Sequence, residues 1–390
     1  MNVKVGIDRI GFYTPKWYVD MAKLARTRNE DPNKYLIGIG QRKQAVIPNS
    51  QDAVTMAANA ADQIIDDDNR QKIDLILFGT ESGIDNSKSA AIYLQHLLKL
   101  PNTVQSVELK QACYAMTAGV QLAKDHVLAH ADSQVLVIGA DIARYGLHTP
   151  GEPTQGGGAM AVIISANPAI LSIEEGSAHY VADIMDFWRP LYETQALVDG
   201  KYSSQQYIDF FQRTFTQYQK QTNLKISELQ AIVFHLPYTK MGLKALRAIL
   251  SKTSEIHANQ LLREFEYSRM FNREVGNLYT GSLYLSLLSL LINSESLNAG
   301  QKIGLFSYGS GAEGEFYVTT VQPNFKDALN IPIITKILSQ REELEIPVYE
   351  KMFASQMPLT NADFETDYQA DDAKFYLSGQ KNQQRQYRSR

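Results

Sequence analysis

The sequence is almost without cysteine: Cys113 is the only one in 390 residues. One cysteine excludes a disulfide within the chain, and we therefore expect a reducing compartment. It also leaves too few thiolates for a cysteine-based zinc site. His126 and His130 have the i, i+4 spacing of a metal-binding helix, but the glutamate that zinc hydrolases carry beside the first histidine is missing. We expect no metal site.

Long apolar runs and a surplus of basic charge are absent as well. The longest apolar stretch, 283–292, is interrupted by Ser286 and Ser289 and is far shorter than the roughly 20 residues of a membrane span. The first residues alternate like a strand and lack the apolar core of a signal peptide. A net charge of -4 gives no basic face for nucleic acid. We expect a soluble cytoplasmic protein without a nucleic-acid or membrane partner.

What the chain does contain is an alternation of strands and helices. The apolar runs 73–78 and 135–139 are typical of strands covered on both faces, and helical periodicity appears at 89–98 and again from Val120 onward. This alternation predicts an α/β fold with a largely parallel sheet. The polar, basic segment 381–390 is typical of a frayed tail.

The order of elements in the first part of the chain recurs in the second. Three landmarks repeat in the same order: Phe78 with Phe234, Cys113 with Asn277, and the strand 135–139 with 303–307. Such a repeat predicts two similar halves, which we place at 1–167 and 168–390. Strand ends from both halves could then meet at one central site, outside the carboxyl ends of the strands.

Cys113 stands where an extended segment ends in small residues and helical periodicity begins. A cysteine at a helix N-terminus lies near unpaired backbone N–H groups and the positive end of the helix dipole, which favour the thiolate. We therefore predict that the pKa of Cys113 lies below the usual value of about 8.5. The alternative is a small buried hydrophobic residue, and only its neighbours can decide between the two.

Two further reactive side chains follow buried strands. Glu81 comes after the strand 73–78, and His235 comes directly after 231–234. Taken alone, such a glutamate is often a surface acid and such a histidine is often a satisfied, partly buried residue. The proposed repeat brings both strand ends together beside Cys113. A thiolate, an imidazole and a carboxylate are sufficient for acyl transfer.

Seven short motifs stand in the chain in this order: Thr80-Glu81-Ser82, Ala112-Cys113-Tyr114-Ala115, Ala143-Arg144-Tyr145-Gly146, Gly151-Glu152-Pro153-Thr154-Gln155, Phe234-His235-Leu236-Pro237-Tyr238-Thr239-Lys240-Met241-Gly242, Gly276-Asn277-Leu278-Tyr279-Thr280-Gly281-Ser282 and Phe306-Ser307-Tyr308-Gly309-Ser310-Gly311. Together they closely resemble the 3-hydroxy-3-methylglutaryl-CoA (HMG-CoA) synthase family, in its shorter bacterial form, over nearly the whole chain. The resemblance implies a thiolase-like fold, with two similar halves in five α-β-α-β-α layers. It also implies a homodimer that acts in the mevalonate pathway of isoprenoid synthesis.

The resemblance gives each reactive residue a role. Cys113 would attack acetyl-CoA and carry the acetyl group as a thioester. Glu81 would act as the general base on the acetyl methyl group, and the resulting carbon would add to the ketone of acetoacetyl-CoA. His235 would bind acetoacetyl-CoA and polarise that ketone, and water would release HMG-CoA. Both CoA thioesters are substrates, so no cofactor is implied.

The resemblance also implies a set of substrate-binding residues: Asp31, Tyr145, Thr154, Lys240, Lys244, Asn277 and Ser310. The two lysines would meet the CoA phosphates, where only charge is needed. Two positions depart from the family pattern. Gln111 stands where glutamate is usual, and Gly157 replaces an alanine. Neither departure removes Cys113, Glu81 or His235.

Three other functions fit some of the same residues. Asn277 would suit a ketoacyl-ACP synthase III of the same fold, but Leu-Pro-Tyr follows His235 and Glu81 would have no role there. A non-catalytic thiolase-like scaffold would bind acyl-CoA without becoming acetylated. A redox sensor would become oxidised at Cys113 and would not depend on Glu81.

Overall fold

The fold is seen in a computed structural model that describes residues 3–356 and 360–390. Its strands are β1 (Val5–Tyr13), β2 (Trp17–Asp20), β3 (Lys43–Val46), β4 (Ile73–Gly79), β5 (Gln105–Leu109), β6 (Gln134–Ala143), β7 (Gly156–Ala166), β8 (Leu171–Val181), β9 (Phe187–Trp188), β10 (Leu197–Val198), β11 (Leu229–Phe234), β12 (Lys302–Gly309), β13 (Glu313–Val321), β14 (Glu342–Glu343), β15 (Phe364–Glu365), β16 (Phe375–Lys381) and β17 (Gln384–Ser389).

The α-helices are α1 (Met21–Thr27), α2 (Ala53–Ala61), α3 (Ala90–Leu97), α4 (Ala115–Ala129), α5 (Gly200–Thr222), α6 (Thr239–Arg247), α7 (Glu255–Ser268), α8 (Met270–Val275), α9 (Ser282–Asn293), α10 (Ile331–Ser339) and α11 (Ile346–Ala354). A π-helical turn spans Lys34–Ile39, and 3-10 turns span Glu152–Thr154, Ile226–Glu228, Leu250–Lys252, Tyr279–Gly281 and Phe325–Ala328. Within the described residues, no helix combines the length and the apolar character that crossing a membrane requires.

Nine strands form one sheet in the order β11-β12-β13-β8-β1-β7-β6-β4-β5. The two halves of the chain contribute the same pattern: β1, β7, β6 and β4 in the first half correspond to β8, β13, β12 and β11 in the second. They join where Gly6 and Ile7 of β1 pair with Ser172 and Leu171 of β8. This correspondence confirms the internal duplication.

The sheet is mixed, and the prediction of a largely parallel sheet is wrong. Parallel pairing is confined to β4 with β5, β4 with β6, and β11 with β12. The remaining neighbours run antiparallel. The reason is that β6 leads to β7, and β12 to β13, without a helical crossover, and a strand that returns directly must run antiparallel.

Helices and sheet form five layers. Helix α2 packs on one face of the first half's strands and α4 on the other, against β4 and β6. Helix α9 packs on β11 and β12, and its Tyr284 donates a hydrogen bond to Thr117 of α4, at 3.1 Å. Helix α5 covers the outer face of the second half at β8 and β13. The result is the α-β-α-β-α order that the resemblance implied, with α4 and α9 buried at the centre.

The C-terminal segment is a strand, which corrects the expectation of a frayed tail. Strand β17 pairs antiparallel with β16. From this strand, Arg385 and Tyr387 donate to Oδ2 of Asp52 at 2.8 and 2.6 Å. Asp52 is buried, and its other oxygen accepts from Thr55 N at the start of α2. Arg385 therefore serves as the charged partner of a buried carboxylate.

Candidate active site

Cys113 occupies a sharp turn directly before α4, whose N-cap is Tyr114. The preceding residue, Ala112, has a φ of 43°, in the left-handed region that residues other than glycine rarely adopt. In the second half, Gly276 has a φ of 94° directly before Asn277. A residue with a positive φ therefore directly precedes both Cys113 and Asn277, ahead of the two central helices.

The Cys113 thiol is in direct contact with Glu81. Sγ of Cys113 donates to Oε1 of Glu81 at 2.9 Å. Glu81 follows β4, so the contact joins the carboxyl end of that strand to the start of α4. Both residues are half-buried, so the pair is shielded from bulk solvent but is still open to a substrate. A thiol and a carboxylate thus lie within hydrogen-bonding distance, which is the geometry that nucleophilic catalysis requires.

The environment of this pair corrects the prediction of a lowered thiol pKa. Burial, together with the negative charge of Glu81, raises the pKa of Cys113 well above its usual range. These effects outweigh the helix N-terminus. Burial and the nearby carboxylate of Asp141 also raise the pKa of Glu81, to about 8. Glu81 is consequently a stronger base, once ionised, than an ordinary carboxylate.

Asp141 organises the backbone around Glu81, and the sequence analysis did not identify it. Its side chain is fully buried and accepts five hydrogen bonds: from Glu81 N (2.7 Å), Thr80 Oγ1 (2.9 Å), Ser82 Oγ (2.9 Å), Thr280 N (3.1 Å) and Thr280 Oγ1 (2.5 Å). The signal was a carboxylate inside the apolar run that forms β6. Because its donors come from both halves, Asp141 couples Glu81 to the segment after Asn277.

His235 lies at the carboxyl end of β11 and is buried. Its backbone N–H donates to Phe306 O at 2.9 Å, and Tyr207 OH donates to its carbonyl at 2.6 Å, so the main chain is held on both sides. Burial lowers the pKa of His235 to about 3. The ring is therefore neutral at physiological pH. Its Nδ1 is buried and has no hydrogen-bond partner among the described residues.

Asn277, like His235, has a buried side-chain nitrogen that makes no hydrogen bond within the described residues. Its Oδ1 accepts from Tyr279 N at 2.8 Å and from Ser282 Oγ at 2.9 Å, which orients the amide. Its Nδ2 is buried and, in the described part of the chain, has no partner. Buried polar atoms are nearly always hydrogen-bonded, so an orphaned donor that is held in place is suited to a substrate oxygen.

Three aromatic rings form a wall beside these groups. The centroids of Tyr145, Phe187 and Tyr279 lie 5.9 to 6.1 Å apart, and each pair meets edge to face. Burial, together with the nearby acidic groups of Cys113 and Glu81, raises the pKa of Tyr145. Phe187 belongs to an aromatic-rich segment that reads as core in the sequence, so its place at the site was missed.

The segment after Phe187 is hydrogen-bonded to the backbone of Glu81. Arg189 donates a hydrogen bond to the carbonyl oxygen of Glu81. Its positive charge opposes the rise in the pKa of that carboxyl, although burial dominates. The aromatic wall is therefore anchored directly beside Glu81 and Cys113.

Ser310 directly follows β12, and the end of β12 packs against the turn that holds Cys113. A Cβ on Gly309 would approach Gln111 O to 2.6 Å and Tyr114 N to 2.8 Å, so this strand end packs against the turn that holds Cys113. Ser310 follows immediately and is partly exposed. Only glycine permits this close approach of the two backbones.

Four predicted substrate-binding residues remain to be placed: Asp31, Thr154, Lys240 and Lys244. Asp31 is exposed and accepts from Asn33 N at 2.9 Å, while Thr154 donates to Gly151 O at 2.8 Å. Lys240 and Lys244 lie on α6, the first partly exposed and the second exposed. These contacts neither place the four residues against Cys113 nor give them another function.

The Asp31 and lysine segments do share one side of the protein. Thr239, at the start of α6, donates to Gly40 O at 2.7 Å. That contact joins α6 to the end of the π-helical turn that follows Asp31. In the parts of the chain described, no three His, Cys, Asp or Glu side chains are grouped so that they could hold a metal ion.

Comparison with known proteins covers both halves of the chain. Residues 1–169 match the family model described as hydroxymethylglutaryl-coenzyme A synthase N terminal. Residues 171–267 and 247–386 match the model of the corresponding C terminal part.

Individual relatives agree with these matches. The chain is 46% identical to a hydroxymethylglutaryl-CoA synthase of Enterococcus faecalis over 99% of this chain and 100% of that protein. It is 30% identical to the polyketide biosynthesis 3-hydroxy-3-methylglutaryl-ACP synthase PksG of Bacillus subtilis, over 90% of this chain and 88% of that protein. A crystal structure of an HMG-CoA synthase complexed with CoA superposes with a TM-score of 0.94 at 38% identity, covering 99% of this chain and 100% of that one.

Proposed function

This chain belongs to the hydroxymethylglutaryl-CoA synthase family and condenses acetyl-CoA with acetoacetyl-CoA, and we propose that Cys113, Glu81 and His235 carry out the reaction. One observation carries the proposal: the only cysteine of the chain donates its thiol hydrogen to Glu81 at 2.9 Å. The fold is the thiolase-like fold of that family.

In the first step, Cys113 becomes acetylated. Its sulfur attacks the carbonyl carbon of acetyl-CoA, the bond from that carbon to the CoA sulfur breaks, and the thiol proton ends on the departing CoA. The raised pKa of the Cys113 thiol keeps it protonated before substrate binds. The thiol must therefore lose its proton as it attacks, and the carboxylate in contact with it is placed to accept that proton.

In the second step, Glu81 takes a proton from the methyl group of the acetyl thioester. The resulting carbanion adds to the ketone carbon of acetoacetyl-CoA, and the new alkoxide takes up the proton that Glu81 removed, which leaves Glu81 ionised again. Because His235 is neutral and its Nδ1 is unpartnered, it can hydrogen-bond the ketone oxygen without bringing a full charge into a buried site. Water then cleaves the thioester at Cys113 and releases HMG-CoA.

The remaining contacts belong to the substrates. The orphaned Nδ2 of Asn277 and the hydroxyl of Ser310 are proposed to bind acetoacetyl-CoA, and Tyr145 the acetyl group. Thr154 is proposed to support the acyl site from the neighbouring loop. Asp31, Lys240 and Lys244 are proposed to meet the CoA moiety, since they share one exposed side of the protein.

Mass spectrometry tests the proposal directly. After incubation with acetyl-CoA alone, the intact protein should gain one acetyl group, which peptide mapping should place on Cys113. The acetylated protein should then form product with acetoacetyl-CoA. An unlabelled protein that still binds acyl-CoA would support a non-catalytic scaffold. Condensation that requires an acyl-carrier protein would support the activity of the PksG relative.

We also propose that the protein is a cytoplasmic homodimer with a boundary between its halves at 167/168. The edge strand β5 pairs with β4 alone in the described part of the sheet, and its Val107 is 47% exposed, which leaves an edge that a second copy could cover. The boundary falls between β7 and β8. Light scattering should give a dimer, and Val107→Lys should give a monomer. Cell fractionation tests the location.

A further inference from the structure

Four polar residues form a row across the second half of the sheet. The row runs over β11, β12, β13 and β8 and consists of His235, Ser307, Glu315 and His179. Ser307 pairs directly with Glu315, and Glu315 with His179; His235 continues β11 beside Ser307. Along β12, Ile303 and Leu305 belong to the core around α4 and α9, so strand alternation turns this row toward the central helices.

Glu315 is the member of the row that contacts the nucleophile helix. Its side chain is fully buried. Oε2 accepts from Tyr114 OH at 2.8 Å, and Oε1 accepts from Gln121 Nε2 at 2.7 Å. Both donors come from α4 or its N-cap, and Tyr114 directly follows Cys113. His179 approaches the same carboxylate from the solvent side, at 3.8 Å.

Stability alone does not explain a carboxylate at this position. Moving a charge out of water is costly, and a well-packed apolar side chain of similar size is often equally stable or more stable. A buried polar group can instead specify one arrangement among several of similar energy. Here the carboxylate belongs to the second half, whereas its two donors belong to the first. It therefore defines how the start of α4 sits on the opposite sheet.

We propose that Glu315 is a positioning residue for the nucleophile. It holds Tyr114, and through Tyr114 the turn that carries Cys113, in the orientation that brings the sulfur to Glu81. Glu315 acts from the other half of the molecule and takes part in no bond that forms or breaks. The inference rests on the proposed role of Cys113 as the acetylated residue.

Two substitutions and their combination test the proposal. Glu315→Gln keeps the shape of the side chain but leaves it with one acceptor for two donors, and Tyr114→Phe removes the hydroxyl alone. Single-turnover acetylation of Cys113 is measured by rapid quench and mass spectrometry at several acetyl-CoA concentrations. Each variant should lower the maximal rate by about 10-fold or more, because a small misplacement of a reacting group slows reaction strongly. The half-saturating acetyl-CoA concentration should stay unchanged.

Non-additivity is the signature of a shared contact. The double variant should be no slower than the slower single variant, since both substitutions break the same hydrogen bond. A matched control is available in Glu264, which is also fully buried and accepts from Ser294 and Ser296 at 2.6 Å each. Glu264→Gln should lower the melting temperature to a similar extent and leave the acetylation rate at the wild-type value.

Three outcomes would overturn the positioning role. They are a wild-type acetylation rate in folded Glu315→Gln, an equal loss of rate in Glu264→Gln, and fully additive effects of the two site substitutions. Failure of the proposed function gives a different result, because wild-type protein would then not be acetylated at all. Iodoacetamide labelling of Cys113 also reports the placement of the thiol without any CoA substrate.

Discussion

Asp141 of the first half accepts two hydrogen bonds from Thr280 of the second, one from the backbone N–H at 3.1 Å and one from the hydroxyl at 2.5 Å. Its other oxygen accepts from the backbone N–H of Glu81 at 2.7 Å. One buried carboxylate therefore links the position of Glu81 to the segment that follows Asn277. The candidate active site is assembled from both halves and depends on their relative position.

Replacing Asp141 by asparagine should slow condensation by about 100-fold. Both oxygens of Asp141 accept hydrogen bonds, whereas the NH2 group of an asparagine would face donors on one side and leave them without an acceptor. The substitution also removes a negative charge that raises the pKa of Glu81. The pH midpoint of the rate should therefore fall. Steady-state rates across a pH series measure both effects.

Asp371→Asn is the control for that substitution. Asp371 is likewise buried and accepts from Ser50 Oγ at 2.7 Å and Gln51 Nε2 at 2.6 Å, but it lies in the C-terminal segment. Its variant should lose stability while condensing at the wild-type rate. If both variants lost activity in proportion to stability, Asp141 would have no specific role.

Glu81→Ala should separate the two chemical steps. Cys113 should still become acetylated, because its proton can pass to water, although the labelling is slower. Condensation should fall by about 10²–10⁴-fold, which is the usual contribution of a general base. Intact-mass spectrometry and a product assay on the same sample give both values. A variant that condensed normally would remove Glu81 from the mechanism.

The pH dependence of condensation follows from the raised pKa of Glu81. A general base must be ionised to accept a proton, so the rate should rise as the pH increases through about 8. An ordinary glutamate, with a pKa near 4.5, would give a flat profile in this range. Saturating both substrates between pH 6 and 9 isolates the effect. A pH-independent rate would show that another group is the base.

The sequence singled out Glu81, Cys113 and His235 as candidates, because each follows a strand or precedes a helix in a recognisable pattern, and the structure places Cys113 in contact with Glu81. It did not reveal Asp141, whose importance depends on Thr280, a residue far away in the chain. The prediction that the pKa of Cys113 is lowered was wrong for a related reason. The helix N-terminus can be read locally, whereas burial and the approach of Glu81 arise only on folding.

Strand direction shows the same limit. Apolar runs marked β4, β6, β11 and β12 correctly, yet they carry no information about the partner strand. The short connections after β6 and β12 impose antiparallel pairing. Likewise, the C-terminal segment is polar in sequence, and its pairing with β16 and its contact with Asp52 explain why it is ordered as a strand.

The turns before Cys113 and Asn277 each contain a residue with a positive φ, and substitutions at these two residues should have opposite effects on stability. Ala112→Gly should stabilise the protein by about 0.5 kcal/mol: it relieves a left-handed conformation that costs an alanine about 1–2 kcal/mol, less about 0.4–1 kcal/mol of added unfolded-state entropy. Gly276→Ala should destabilise strongly, because its Cβ would lie 2.2 Å from Gln155 O. Chemical denaturation measures both. A loss of stability in Ala112→Gly would contradict strain at Ala112, and an unchanged stability in Gly276→Ala would contradict the close approach of Gln155.

The aromatic wall predicts a change in acyl-chain preference. Phe187 is the ring of the wall that carries no hydroxyl group, so Phe187→Leu should create space beside the acyl group without removing a polar contact of Tyr145 or Tyr279. One methylene group in an apolar pocket is typically discriminated by about 10–200-fold. The variant should therefore label Cys113 with propionyl-CoA about 10-fold faster, relative to acetyl-CoA, than the wild type does.

The ratio of the two labelling rates is the informative quantity, because a general loss of reactivity would lower both rates together. Phe211→Leu provides the matched control: Phe211 is a residue of α5 and is fully buried among aromatic residues on the outer face of the second half. Its variant should lose stability without changing the ratio. If the ratio stayed at the wild-type value in Phe187→Leu, the limit on acyl size would have to come from Tyr145, Tyr279 or the backbone around Cys113.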